Sequence, residues 1–253
     1  MASVIELYKY LDKSIPSSLS CDWDNDGLMC CPDPDREVKK VLFTLDITEK
    51  AASYAIENGY DLIISHHPLI FRPISNVAFD KSVSRTVMML VKAGISAFSF
   101  HTRLDSLNGG VNDALAERLE IVDPEELDES GAGRIGYLSD SMTAAEFANF
   151  VKKRLGVDSV RYTDSKRNVN KVAIVGGSGK EFIDLAIKKG ADTFVSGEIG
   201  YSAFSSNYSN NINLVEAGHF FTENPVLDKL ILMVKGYCDV EIGKFFSNEV
   251  LCV

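Results

Sequence analysis

The stretch "KVLFTLDITEKAASYAIENGYDLIISHH", residues 40–67, carries the pattern that decides the fold. An apolar, β-branched run comes first, a helical segment follows, and a second apolar run ends at two adjacent histidines. Thr48 stands where a helix N-cap is expected, and Gly59 stands where the helix should end. The stretch therefore predicts a strand, a helix and a second strand, which is the βαβ unit of a parallel sheet.

The same alternation continues through the chain. Further helices are predicted for "KSVSRTVMMLVKAG", "GGVNDALAERLEI", "TAAEFANFVKKRLG", "KEFIDLAIKKG" and "NPVLDKLILMVKG", the last of them opened by Pro225. Further strands are predicted for "ISAFSF", "NKVAIVGG", "ADTFVSG" and "NINLVEAG". This order of elements predicts an α/β protein with helices packed on a largely parallel sheet.

An internal repeat is visible when the sequence is compared with itself. A shift of 131 residues lays 40–67 over 171–198 without a gap. The identical pairs include Gly59 with Gly190, Asp61 with Asp192, and Ser65 with Ser196. We therefore expect two similar three-layer α/β halves, residues 1–125 and 126–253. The polar, glycine-rich stretch around 121–140 is interpreted as the boundary between them.

Composition narrows the classes of function. The chain has 253 residues, 45% of them hydrophobic and 25% charged, as in a globular protein. It has no run of about 20 apolar residues, and its N-terminus lacks a signal-peptide pattern, so a cytoplasmic location is expected. The net charge of −10 argues against nonspecific nucleic-acid binding. Five cysteines without C-x-x-C spacing argue against a disulfide framework or a thiolate zinc site.

All four histidines follow predicted strands. His66 and His67 come directly after "YDLIIS", and adjacent side chains reach one site only if the strand has already ended, as Pro68 suggests. The carboxyl ends of strands are where α/β proteins bind ligands. The pair is therefore expected to face a binding site.

Two further motifs add a carboxylate four residues after a histidine. "HTRLD" contains His101 and Asp105, and "HFFTE" contains His219 and Glu223. Imidazole mixed with carboxylate suits zinc, iron, manganese or cobalt and does not suit calcium. Two such ions with open positions would polarise a substrate oxygen and generate hydroxide at neutral pH. The alternative is a set of hydrogen-bonded structural histidines, with His101 the weakest ligand candidate.

The motifs "WDNDGL", "SHHPLIF", "HTRLDSLNGGVNDALA", "GADTFVSGEIGYS" and "EAGHFFTE" resemble those of the Nif-three-like family. Members of that family are often described as GTP cyclohydrolase I type 2 homologs. The resemblance extends over nearly the whole chain. It implies two similar α/β halves with a dinuclear metal centre between them, and assembly into a ring-shaped homohexamer.

The resemblance also implies roles for individual residues. His66 and Asp105 would bind one ion, His67 and His219 the other, and Glu223 would bridge the two. His101 would stand beside the ions as a catalytic group. The chain departs from the family near Ser202, where many members have a histidine, so one proton shuttle is missing here.

Several other residues have both a functional and a structural interpretation. Glu198, which overlies His67 in the repeat, is a candidate general base, and the alternative is a surface carboxylate. Asp24 or Asn25 is expected to border the site, or else to form a solvated turn. Asp46 would orient a ligating imidazole or cap the following helix.

The stretch "VAIVGGSGKEF" raises the question of a phosphate loop. It fails as a Walker motif, because Ile174 stands where a glycine is needed and Glu181 where Ser or Thr is needed. A glycine-rich turn would still offer backbone N–H groups to an anion. The alternative is a tight turn that lets a helix pack closely on a strand.

The sequence thus predicts a metal-dependent hydrolase acting on a nucleotide or another phosphorylated small molecule. The cyclohydrolase activity comes with the resemblance and is not selected by any spacing. The competing hypothesis is a non-enzymatic metal-binding scaffold or regulatory partner. DNA binding through the hole of a ring is disfavoured by the net charge.

Overall fold

Strands and helices alternate along the chain in a computed structural model that describes residues 2–206, 211–246 and 248–250. The strands are β1 Gly27–Cys30, β2 Lys40–Thr44, β3 Leu62–Ser65, β4 Ser96–Ser99, β5 Val122–Glu126, β6 Arg134–Met142, β7 Arg161–Tyr162, β8 Val169–Ser178, β9 Thr193–Glu198, β10 Asn213–Glu216 and β11 Glu241–Phe245. The α-helices are α1 Val4–Ser14, α2 Glu49–Glu57, α3 Ser82–Ala93, α4 Thr102–Ser106, α5 Val111–Arg118, α6 Ala144–Leu155, α7 Ile183–Lys188, α8 Tyr201–Ser206, α9 His219–Glu223 and α10 Val226–Tyr237. Short 3-10 turns lie at Ser17–Leu19 and Lys180–Phe182.

The chain forms two compact units. One contains the described residues up to Leu104 together with Leu227–Glu249, and the other contains Asp105–Val226. Each unit has its own sheet, so the protein is a mixed α/β protein with two sheets and helices. None of the described helices is long and apolar enough to cross a membrane.

The sheet of the first unit has the strand order β1-β4-β3-β2-β11. β2, β3, β4 and β11 run parallel, and β1 pairs antiparallel with β4. Leu42, Ile63 and Ala97 pack on one face with apolar residues of α2 and α3. On β4, the next residue, Phe98, contacts Tyr8 of α1 in an edge-to-face ring contact of 5.2 Å. The sheet therefore has apolar contacts on both faces.

The sheet of the second unit has the order β5-β6-β8-β9-β10-β7. β8, β9 and β10 run parallel, while β5, β6 and β7 are antiparallel to their neighbours. Val172 and Val195 belong to one buried cluster, whereas the adjacent Ala173 and Phe194 belong to another. Because successive side chains on a strand point to opposite faces, this sheet is also covered on both sides.

The predicted starts of α2 and α10 are confirmed, and α6 begins with a capping box. Thr48 caps α2 by accepting a hydrogen bond from the backbone N–H of Ala51. Thr143 and Glu146 form a capping box at the start of α6. α10 begins directly after Pro225, as predicted.

The segment 121–140, interpreted as a boundary from its composition, is not an irregular linker. This stretch contains β5 and most of β6, which pair antiparallel at the edge of the second sheet. Gly136 lies so close to β5 that an added Cβ would stand 2.6 Å from the carbonyl oxygen of Val122. The glycine-rich, acidic composition of this stretch is therefore that of two paired strands at a sheet edge. The division into sequence halves at 125/126 stays a prediction.

β11 was not predicted from the sequence. It pairs in parallel with β2, from Glu241 opposite Lys40 to Phe245 opposite Thr44. Its sequence, "EIGKF", is short and polar, so it lacks the continuous apolar run of a central strand. The last strand of the chain thus lies beside the first parallel strand of the first unit.

Two aspartates matched by the internal repeat have the same structural role. Asp61 precedes β3, and its carboxylate accepts from the backbone N–H groups of Lys39 and Lys40. Asp192 precedes β9, and its carboxylate accepts from Asn170 and Lys171. Each aspartate ties one parallel strand to its neighbour within its own unit.

Candidate metal-binding site

His66 and His67 lie beyond the carboxyl end of β3, which stops at Ser65. The strand has therefore ended before the pair, as the sequence predicts. The Ser65 hydroxyl donates to the carbonyl oxygen of His67 (2.7 Å), and the backbone N–H of His67 donates to the carbonyl oxygen of Leu45 (2.9 Å). These bonds fix the irregular backbone from which both rings project.

The structure brings His66, His67 and His101 together in the first unit. Their ring centroids are separated by 4.9 Å (66–67), 5.3 Å (66–101) and 5.6 Å (67–101). One ring nitrogen of each residue lies within 4.8 Å of the others. His66 is fully buried, whereas His67 and His101 are half-buried. The three side chains form a group that could hold a metal ion.

Each of the three rings is held through Nδ1. Nδ1 hydrogen-bonds to an oxygen in every case: His66 to the carbonyl of Phe100 (2.9 Å), His67 to Oδ1 of Asp46 (2.7 Å) and His101 to Oδ1 of Asp24 (2.9 Å). A carbonyl or an ionised carboxylate only accepts, so Nδ1 carries the proton in a neutral ring and the lone pair is on Nε2. This arrangement orients an imidazole for metal binding.

Asp24 also fixes the helix that follows His101. Its Oδ2 accepts from the backbone N–H of Thr102 (3.1 Å) and from the Thr102 hydroxyl (2.6 Å) at the start of α4. Burial alone would raise the pKa of Asp24, but the hydrogen bonds from His101 and Thr102 outweigh it and hold that pKa well below its ordinary value. Asp24 is thus a buried carboxylate that stays ionised and orients His101.

Arg103 holds the 20–26 loop against the same helix. It is 2% exposed, and its guanidinium donates to Asp26 (2.9 and 3.0 Å) and to Asp12 (2.7 Å). Burial lowers its pKa, yet the hydrogen bonds with Asp26 and Asp12 more than compensate, so the pKa of Arg103 is raised. The loop that carries Asp24 is therefore fixed by a buried, charged network.

In the second unit, α9 carries His219 and Glu223 one helical turn apart. Nε2 of His219 lies 3.1 Å from Oε2 of Glu223. Nδ1 of His219 lies 3.1 Å from Oε1 of Glu198, at the end of β9. Glu223 is 5% exposed. The fourth histidine thus repeats the pattern of the first three, with an oxygen acceptor on Nδ1.

Two glycines make room for these side chains. Gly177 has φ +64°, and an added Cβ there would lie 2.0 Å from Oε1 of Glu223 and 3.2 Å from Nε2 of His219. An added Cβ at Gly197 would lie 2.7 Å from the Cα of His219. The glycine-rich end of β8 therefore lets α9 approach the sheet closely. This agrees with the structural alternative given for "VAIVGGSGKEF", in which the glycines let a helix pack closely on a strand.

Asp105 lies in α4, at the beginning of the second unit. Its carbonyl oxygen accepts from the Nδ2 of Asn112 (3.0 Å), and the Asn112 Oδ1 accepts from the backbone N–H of Gly176 (3.0 Å). Asn112 is 2% exposed. This buried amide links the end of α4 to the end of β8.

The residues fit divalent transition metals. Neutral imidazoles with the lone pair on Nε2 are donors to zinc, iron, manganese and cobalt, and carboxylates complete such donor sets. Hydrogen-bonded carboxylates behind the imidazoles are the usual support of a metal-binding histidine. A cluster of His, Asp and Glu residues that could hold a metal ion is thus present.

Sequence reasoning identified most of these residues but only some of those that support them. Asp46 was expected to orient an imidazole or to cap the following helix, and Asp24 was expected to border the site or to form a solvated turn; both contact a histidine. Gly177 and Asn112 were missed, because their contacts join segments far apart in the sequence. The i,i+4 spacing of "HFFTE" was the only available signal for α9.

The chain matches a known family over residues 2–249, described as Duf34/NIF3 (NGG1p interacting factor 3). A Clostridium perfringens protein named "GTP cyclohydrolase 1 type 2 homolog" is 37% identical over 251 residues, covering 96% of this chain and 95% of that protein. A Lactococcus lactis protein of the same name is 34% identical, covering 83% of this chain and 82% of that protein.

Solved structures show the same fold. Reduced HcgD from Methanocaldococcus jannaschii is 27% identical, with a TM-score of 0.84 and coverage of 96% of this chain and 97% of that chain. A Bacillus cereus protein related to NIF3 has a TM-score of 0.89 at 24% identity, covering 100% of this chain and 99% of that chain. The latter similarity concerns the fold alone.

Proposed function

The chain belongs to the Duf34/NIF3 family, and from this premise we propose that it is a dinuclear-metal hydrolase acting on a nucleotide or another phosphorylated small molecule. One observation carries the proposal: every histidine of the chain has its Nδ1 within hydrogen-bonding distance of an oxygen. In His66, His67 and His101 that arrangement leaves the lone pair on Nε2, and the Nε2 of His219 faces the carboxylate of Glu223. Three structural histidines would not need to share one tautomer.

In this proposal His66 and Asp105 would hold one ion, His67 and His219 would hold the other, and Glu223 would be a ligand of both. Such a pair of ions supplies Lewis-acid polarisation of a substrate oxygen and a water of lowered pKa. The metal can be zinc, iron, manganese or cobalt, since imidazole and carboxylate accept all four.

The chain's own residues orient the donors and handle protons. Asp46 and Glu198 hold the rings of His67 and His219 through Nδ1. His101, whose ring contacts both other imidazoles, is the proposed proton-transfer residue, and Asp24 keeps it oriented. Glu198 is 60% exposed on its side chain, which also suits the proposed general base.

A nucleotide is the favoured substrate class because relatives are named homologs of GTP cyclohydrolase 1 type 2. We propose the ligand class by that similarity and leave the bond that is cleaved to experiment. A cytoplasmic location and assembly into a homohexamer belong to the same proposal.

An internal duplication is part of the proposal too. The equivalent aspartates Asp61 and Asp192 support it, since each accepts from the backbone of the preceding parallel strand. The order β4-β3-β2 in one sheet and β10-β9-β8 in the other supports it as well. In both units an antiparallel strand flanks the third parallel strand, β1 beside β4 and β7 beside β10.

Metal content is the first test. Protein purified without chelators should contain about two transition-metal ions per chain by elemental analysis. Glu223→Ala should lose both or retain one, because the shared ligand is gone, and His67→Ala should lose one. The control is Glu57→Ala, an exposed carboxylate of α2, which should keep the full content. Absence of metal from the wild type would overturn the proposal.

Turnover is the second test and separates an enzyme from a scaffold. The metal-loaded protein should hydrolyse one or more members of a panel of nucleotides and phosphate esters, and chelation should stop it. His101→Gln should retain its metal and lose most of the rate, since it removes only the proton-transfer group. Full metal content with no turnover across the panel would favour the regulatory scaffold.

A further inference from the structure

Two large aromatic side chains lie exposed beside the histidine cluster of the first unit. Trp23 is 63% exposed and Phe71 is 39% exposed. Their ring centroids are 6.0 Å apart with an interplanar angle of 79°. Both also contact His101 edge-to-face, Trp23 at 6.2 Å and Phe71 at 5.9 Å. The three rings are nearly perpendicular to one another and form an open aromatic corner.

The corner is fixed to the cluster from both sides. Next to Trp23, Asp24 bonds to the ring of His101, and the side-chain amide of Asn25 donates to the carbonyl oxygen of Ile70. Next to Phe71, residues 66–70 lead back to the end of β3. An indole that is exposed to water lacks the favourable free energy of burial. A ligand that covers the ring would supply that free energy.

A positively charged side chain, Arg72, lies beside the aromatic corner. The guanidinium of Arg72 lies over the ring of Phe71, with Cζ 5.4 Å from the centroid. Arg72 is exposed and, among the residues that the structure describes, it forms no ion pair with a carboxylate. In a chain with a net charge of −10, such an arginine beside exposed aromatic rings suits an anionic ligand.

We propose that Trp23, Phe71 and Arg72 form a binding site for a mononucleotide, with the base against the aromatic rings and a phosphate at Arg72. A planar heteroaromatic ring gains stacking energy on an indole or phenyl face regardless of its identity, and a guanidinium binds phosphate. The inference rests on the proposed function, since it names the residues that would select the substrate class. His101 would then face the bound nucleotide.

Fluorescence offers a direct test because Trp23 is the only tryptophan of the chain. Guanosine monophosphate should quench its emission in a saturable manner, after correction with free N-acetyltryptophanamide. Guanosine should quench more weakly, because it lacks the phosphate, and ribose 5-phosphate should leave the emission nearly unchanged. The titrations are run on metal-loaded and on chelated protein.

Variants identify the residues. Phe71→Ala should weaken guanosine monophosphate binding by about tenfold, the loss expected for one stacking partner. Arg72→Ala should weaken guanosine monophosphate without affecting guanosine. The matched control is Phe79→Ala, which removes another exposed phenylalanine with an arginine over its ring, Arg85 at 5.6 Å. Phe79→Ala should bind as the wild type does.

Three outcomes would overturn the inference. Absence of Trp23 quenching by guanosine monophosphate overturns the inference. Equal affinity of Phe71→Ala and the wild type also sinks it. The inference is also overturned if the Trp23 emission changes with protein concentration and not with added ligand, since a second copy of the chain would then cover Trp23. Metal content measured in the same samples distinguishes these failures from failure of the dinuclear site.

Discussion

Gly177 controls how closely Glu223 approaches the end of β8. Gly177→Ala would place a methyl group 2.0 Å from Oε1 of Glu223 at a positive φ, so we expect a loss of about 2–3 kcal/mol in the free energy of unfolding, measured by urea denaturation. Gly156→Ala is the matched control. Gly156 has a similar φ of +70° with no atom within 4 Å of an added Cβ, so it should cost about 1 kcal/mol.

The same pair of variants separates backbone strain from the contact with Glu223. Metal content should fall in Gly177→Ala and stay unchanged in Gly156→Ala. Equal destabilisation of both variants would show that the contact seen at Gly177 contributes nothing beyond its backbone conformation.

Residue identities were predictable where a local pattern carried them. Four histidines at strand ends, two with a carboxylate one helical turn later, pointed to a common chemistry from spacing alone. Gly177 and Arg103 were not predictable, because their roles depend on neighbours contributed by other elements. A glycine in the sequence indicates only that space is needed, and the folded chain shows which atoms need it.

Glu216, at the end of β10, ties two elements of the second unit to the loop after β9. Its Oε2 accepts from the backbone N–H groups of Ile199 (2.7 Å) and Gly200 (2.9 Å), and its Oε1 pairs with Arg161. Burial alone would raise the pKa of Glu216. The hydrogen bonds from Gly200, Ile199 and Arg161 lower it by a larger amount, so the pKa lies below the ordinary 4.5.

A lowered pKa in the folded state means that stability is present above the unfolded value and is lost as pH falls. We expect Glu216→Gln to cost about 1–3 kcal/mol at neutral pH. The difference from the wild type should shrink below pH 4.5 as the wild-type carboxylate takes up its proton. Urea unfolding between neutral pH and pH 3 measures it. A pH-independent difference would contradict the assignment, and Glu57→Gln should track the wild type throughout.

Strands with a run of consecutive apolar residues in the sequence were predicted well, and strands without such a run were not. The strands β2, β3, β8 and β9 each contain at least four consecutive buried residues, which is typical of buried parallel strands. β5 is exposed along its whole length and contains a proline, so it reads as a loop. Its strand character comes from pairing with β6, which is a tertiary effect.

For the whole molecule, bound metal should stabilise the folded chain by mass action. At a free metal concentration about a hundredfold above the dissociation constant, the gain is about 2.7 kcal/mol, or roughly 5–10 °C in the melting midpoint for a chain of this size. Chelation should therefore lower the midpoint while leaving the far-ultraviolet circular dichroism unchanged. Restoring zinc or manganese should restore the midpoint, and an unchanged midpoint would contradict metal binding.

Loss of secondary structure on chelation would have a different meaning. It would indicate that the metal is required for folding, which is the behaviour of a structural centre. Size-exclusion chromatography of the same samples then shows whether the oligomer depends on the ions. The α/β class followed from the order of elements, whereas nothing in the sequence indicated that Leu227–Glu249 belongs to the first unit, with β11 beside β2.

The position of β11 beside β2 has a consequence for synthesis on the ribosome. β2 precedes Asp105–Val226 in the sequence, yet its outer parallel neighbour, β11, is translated only after that segment. All of Asp105–Val226 emerges in between and forms a unit with its own core. The second unit is thus able to fold first, while the nascent first unit waits with an open strand edge that is prone to mispairing.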